Sequence, residues 1–122
     1  MTESVLLNIL TQLNCETADI TASAVISIDG ILLASALRRN THPDRVGAIS
    51  AAMLELGNRA TKELVCGKLK QVIVVGEDGY MLLLRAGKET VLVLSAKEDA
   101  KLGLILFHAR QAAQNILQLG RY

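Results

Sequence analysis

The chain has 122 residues, which is the size of one domain, and folding would bury roughly two-thirds of its extended surface. Its residues are 51% hydrophobic but only 2% aromatic, so the core is expected to be Leu, Ile, Val and Ala, with Tyr80, Phe107 and Tyr122 as the only rings. Thirteen basic residues against twelve acidic ones leave a formal net charge of +1, which offers no field for nucleic acid or an anionic membrane and, with so few stacking rings, argues against both.

Residues 3 to 13 place Val5, Leu6, Ile9, Leu10 and Leu13 on one face of a helix that Thr2 can cap. Residues 22 to 37 then turn extended around Asp29-Gly30, a pair suited to a two-residue type I′ hairpin. That turn would pair Ile28 with Ile31 and Ile26 with Leu33 on one face, leaving Val25, Ser27, Leu32 and Ala34 on the other. Both faces are apolar, so the sheet is expected to be covered on both sides.

The stretch RRNTHPDR breaks the pattern and opens a long helix over about 43 to 65, with Thr41 or His42 as cap, Pro43 in the first turn and Asp44 near the positive dipole end. Val46, Ile49, Met53, Leu56, Ala60 and Leu64 form its expected core stripe. A second line of mostly small residues runs beside it: Gly47, Ser50, Ala51, Leu54, Gly57 and Thr61. Each interior glycine costs about 1 kcal/mol relative to alanine, and close approach of another backbone would explain it.

Three extended runs follow, LKQVIVV, YMLLLR and ETVLVLS, separated by Glu77-Asp78-Gly79 and Ala86-Gly87-Lys88. Turns this short make an antiparallel meander. Val72 to Val75 is an unbroken β-branched run without charge or proline, so at a sheet edge it would be a template for another chain. Ser95 with Glu98 resembles a capping box, and Leu102, Ile105, Ala109, Ala112, Ile116 and Leu119 then line a closing helix. The expected order is α-β-β-α-β-β-β-α, an α+β sandwich in a single domain over 1 to 122.

Catalytic signatures are missing from this pattern. Gly67-Lys68 is followed by Leu69 and preceded five positions earlier by Lys62, so it is no phosphate loop, and no Gly-x-Gly-x-x-Gly occurs. His42 and His108 stand apart without ligand-spaced partners, and His108 is expected at the surface or boundary of its helix. Cys15 and Cys66 follow helix C-termini, where the dipole opposes thiolate, and are expected as reduced, buried packing residues. No cofactor or metal is implied, and the expectation is a non-enzyme. The start Met1-Thr2-Glu3-Ser4 lacks a basic signal region and no run approaches a membrane span, so a cytoplasmic protein is expected.

What remains are interaction features. Arg38, Arg39 and Arg45 bracket the entrance to the long helix, and Glu55, Arg59, Lys62 and Glu63 alternate in sign along its polar side. The stretches AVISIDGILLAS (24 to 35), VIVVGEDGYMLLL (72 to 84) and AKLGLILFHAR (100 to 110), with Leu102-Gly103-Leu104 in the last, resemble the roadblock family of dynein-light-chain-like proteins and prokaryotic GTPase regulators. The resemblance spans essentially the whole chain. It implies an antiparallel sheet in the order 2-1-5-4-3, the long helix on one face and the terminal helices on the other.

The resemblance further implies a homodimer in which the third strand pairs with its symmetry mate and the long helices lie side by side. Gly47, Ala51, Leu54, Gly57, Thr61, Gln71, Val72, Ile73 and Val74 are then the expected interface. A small Ras-like GTPase would rest on the paired helices, with Arg45, Glu55, Arg59 and Lys62 as its contact residues by position. A second reading keeps the fold as a structural subunit of a motor, trafficking or signalling complex without GTPase regulation. A third, a small-molecule sensor in the sheet-helix cleft, suffers from a lack of convergent polar residues.

Overall fold

The computed structural model describes residues 2–119. Along the chain run α1 (Thr2–Glu16), β1 (Ile20–Ser27), β2 (Leu32–Ala36), α2 (Pro43–Glu63), β3 (Gln71–Gly76), β4 (Gly79–Arg85), β5 (Thr90–Lys97) and α3 (Leu102–Leu117). The five strands form one sheet in the order β2-β1-β5-β4-β3, antiparallel at every pairing. Fold class, element order and strand order therefore match the expectation. Tyr122 lies outside the described residues, and Thr2 is already helical rather than a preceding cap.

Each sheet face carries its own core, as two apolar faces require. On one side, Leu6, Leu10 and Leu13 of α1 and Ile105, Ala109, Ala112 and Ile116 of α3 pack with Val25, Leu82, Leu92 and Leu94. The other core is smaller: Leu54 of α2 packs with Ala24, Ile26, Leu83, Val91 and Val93. Strand period 2 sorts β5 between them, Val91 and Val93 to α2, Leu92 and Leu94 to the terminal helices.

The hairpin between β1 and β2 corrects the type I′ reading. Only Gly30 adopts positive φ, at 91°, whereas type I′ requires it at Asp29 as well. The Gly30 amide donates to the Ser27 carbonyl at 2.9 Å and the Ser27 amide to the Ile31 carbonyl at 2.8 Å, making a three-residue loop closed by glycine. Ile26 consequently pairs with Leu32, Val25 with Ala34, and Leu33 is the extra residue at the bulge. Leu32 thus packs with Ile26 on the α2 side, and Leu33 joins Val25 and Ala34 opposite.

Three local expectations also gave way to tertiary structure. Ser95 is no cap: pairing with β1 and β4 extends β5 to Lys97, the Ser95 hydroxyl meets that of Thr21 at 2.7 Å, and α3 begins after Lys101 without a side-chain cap. The long helix stops at Glu63 because Val65 turns left-handed, at φ 57°, so that Cys66 N–H reaches the Thr61 carbonyl at 2.7 Å and Val65 N–H that of Lys62. Cys15 and Cys66 are free and exposed rather than buried, since Leu6, Leu10 and Leu13 own the inward face of α1 and Cys66 lies beyond α2.

Candidate protein interaction surface

The orientation of α2 decides what the molecule presents to a partner, and it reverses the expected faces. Gly47, Ser50 and Leu54 are buried against the sheet, Leu54 at 4% exposure, while Ile49 stands 54% and Leu56 64% exposed. The stripe Val46-Ile49-Met53-Leu56-Ala60-Leu64 is therefore not a core face: only Val46 and Met53 pack at the margin of the core. Spacing alone could not separate the two lines, because both are continuous along one side of the helix.

Two glycines of the small-residue line stand where a side chain would not fit, Gly47 against backbone and Gly57 against side chains. A Cβ on Gly30 would lie 2.9 Å from the Gly47 carbonyl oxygen, and one on Gly47 would collide with the carbonyl of Gly30. A Cβ on Gly57 would touch Leu69 at 3.0 Å and Val72 at 3.3 Å. Another backbone does approach Gly47, but it is the chain's own hairpin. Of the residues expected at an interface, Gly47 and Leu54 are thus buried within the chain, and Ala51, Gly57 and Thr61 are half-buried.

The flank of α2 next to β3 is apolar and open. Gly57 meets Val72, and a step of about 100° per residue then carries Met53, Ala60, Ile49 and Leu56 progressively outward from that contact. β3 itself is the sheet's terminal strand, bonded on one side only, to β4. Gln71 and Val72 are half-buried, Ile73 and Val74 each 37% exposed and Val75 70%. Sheet edge and helix flank form one surface combining unpaired backbone groups with aliphatic side chains.

Charged side chains border this surface. Arg45, Glu55, Arg59 and Lys62 are all exposed on α2, and Arg59 Nη2 lies 3.5 Å from Glu55 Oε1 one turn away. So exposed a pair contributes about 0.3–0.5 kcal/mol to the helix. On the opposite layer, His108 occupies the boundary position expected for it, with Nδ1 2.7 Å from Glu16 Oε2, joining α3 to α1. Ile49 and Leu56 are the functional candidates that periodicity misassigned. The signal that could have found them was the glycines, which mark the helix face that packs most closely, Gly47 on backbone and Gly57 on side chains.

The sequence matches the Roadblock/LC7 domain over residues 6–96. Two relatives in Methanocaldococcus jannaschii, the uncharacterized proteins MJ0714 and MJ1340, are each 34% identical to it. The alignment with MJ0714 covers 95% of this chain and 97% of the relative, and that with MJ1340 covers 88% and 93%. Among solved structures, Myxococcus xanthus MglB is similar with a TM-score of 0.87 at 15% identity, over 95% of this chain and 87% of that one. The Roadblock/LC7 domain from Streptomyces avermitilis scores 0.84 at 18% identity, over 90% and 92%. Acanthamoeba castellanii profilin II scores 0.68 at 16%, over 94% and 98%. At these identities the solved structures share a fold with this chain.

Proposed function

The chain belongs to the Roadblock/LC7 domain family, and we propose that it works as a non-catalytic homodimeric platform that binds a small Ras-like GTPase and modulates its nucleotide state or location. The observation that carries this reading is the unpaired β3 edge lying beside the exposed flank of Ile49 and Leu56. An edge strand with β-branched residues and no charge or proline between Gln71 and Gly76 is an aggregation hazard unless something pairs with it. A second copy across a two-fold axis is self-complementary there: antiparallel β3 strands join two sheets into one, and the α2 flanks bury each other's aliphatic side chains.

In that dimer Gln71, Val72, Ile73 and Val74 form the strand seam, and the helix seam is Ile49, Met53, Leu56 and Ala60 rather than the small-residue line. Arg45, Glu55, Arg59 and Lys62 remain outside the seam, on the broad helical surface offered to the GTPase. No helix among the described residues is long and apolar enough to cross a membrane. Light scattering on the purified chain tests the dimer, and capture of a Ras-like GTPase loaded with GDP or a GTP analogue tests the partner. The expected results are a mass twice that of the chain and a nucleotide-dependent interaction. A monomer at high concentration overturns the platform; partners indifferent to nucleotide overturn the regulatory part.

A further inference from the structure

On the α2 side of the sheet, Gly47 is held against Gly30 of the hairpin, and beside the helix's first residues the strands are covered without being fully packed over. There lies a hollow of about 260 Å³, with Ala22, Met81 and Val93 from the sheet, Leu37 from the segment after β2 and Val46 from the first turn of α2. Ala22 contributes only a methyl to this lining, so a larger side chain at that position would take up part of the space.

Two groups on the β2–α2 connection add polarity to this apolar lining, Arg38 and Thr41. Arg38 is exposed, and no carboxylate lies within ion-pair distance of it among the described residues. The Ser95 hydroxyl also borders the hollow but is engaged with Thr21. Apolar walls with a few polar groups gathered at one side are the usual composition of a small-ligand site. At about 30 Å³ per water-sized group, the volume admits roughly eight such groups.

We propose that this hollow binds a small aliphatic carboxylate of medium-chain fatty-acid size. The alkyl chain lies on Ala22 and Val93 beneath Val46, and the Arg38 guanidinium meets the carboxylate. Arginine suits the role because its planar donor fork matches a carboxylate's two oxygens and it stays charged at any physiological pH. The interaction uses none of the residues of the proposed dimer seam or GTPase surface, so it stands or falls apart from them.

Methyl NMR of the intact protein titrated with butanoate, hexanoate, octanoate and dodecanoate tests it. Affinity should rise roughly fourfold per added methylene up to octanoate, then level off as the chain outgrows the cavity, with shifts centred on Val46, Met81 and Val93. Arg38→Glu, a surface change that leaves the fold intact, should weaken octanoate about tenfold or more and leave octanol unaffected. Ala22→Leu, checked for folding by its spectrum, should abolish both by taking up space the chain needs. Absence of shifts with octanoate, shifts centred on the α1–α3 layer, or equal binding of octanoate to the Arg38→Glu protein would each overturn the proposal.

Discussion

Gly30 and Gly47 are in backbone contact: a Cβ built on the first would lie 2.9 Å from the carbonyl oxygen of the second. The contact fixes the β1–β2 turn against the second turn of α2 and sets which face of that helix is inward. Gly-to-Ala changes inside helices normally add about 1 kcal/mol of stability. Here the sign should reverse. Gly47→Ala is expected to lower the urea-unfolding free energy by about 2 kcal/mol or more, because the added methyl meets a carbonyl that cannot move without opening the turn. Gly30→Ala should do the same through its φ of 91°.

Leu54 and Leu56 are two residues apart and should behave oppositely. Leu54→Ala empties a buried site and is expected to cost 2–4 kcal/mol of monomer stability. Leu56→Arg, or Ile49→Glu, should leave that stability within about 0.5 kcal/mol of wild type while dissociating the proposed dimer. Ile73→Lys, placing a charge on the edge strand, should also dissociate it. Denaturant unfolding read beside sedimentation velocity separates the two effects, and a Leu56→Arg protein that remains dimeric would remove α2 from the seam.

Ser50 is fully buried, and its hydroxyl has no hydrogen-bond partner among the described residues. A buried hydroxyl left unpaired carries its desolvation cost without return, and serine is a poorer helix former than alanine. Ser50→Ala should therefore raise stability by about 1 kcal/mol, seen as a melting temperature higher by about 3–5 °C. A loss of stability would mean that the hydroxyl has a use in the folded protein.

Val65 holds the left-handed position that ends α2, where glycine is the common residue. A β-branched side chain there is strained by about 1–2 kcal/mol, and this one is almost fully solvent-exposed, so removing it forfeits little packing. Val65→Gly should gain about 0.5–1 kcal/mol in thermal or urea unfolding after allowance for glycine's greater unfolded-state entropy. Val65→Ile, which keeps the branch, should gain nothing.

Most of the fold could be read directly from residue order. Turn residues at Glu77-Asp78 and Ala86-Gly87-Lys88 allow only an antiparallel meander, the 3-4 spacing of α3 survives intact as Ile105, Ala109, Ala112 and Ile116, and Pro43 marks the start of α2. These are local properties, set by what a short segment can do with its own hydrogen bonds and one apolar face. Resemblance to the roadblock family supplied the strand order, which periodicity does not contain.

Tertiary structure decided the rest, wherever two local solutions were nearly equal in energy. Helix α2 has two usable lines, one aliphatic and one small, and close approach to the Gly30 turn selected the small one for burial, sending Ile49 and Leu56 outward. Asp29-Gly30 could close either a two-residue or a three-residue loop, and the bulge at Leu33 selected the second. Ser95 could cap a helix or extend a strand, and ladder bonds on both sides made it a strand. The amino-acid order fixes the list of elements because each is a short-range choice. Which faces they bury depends on backbones far apart in the chain coming within contact distance, and that information is absent from any single segment.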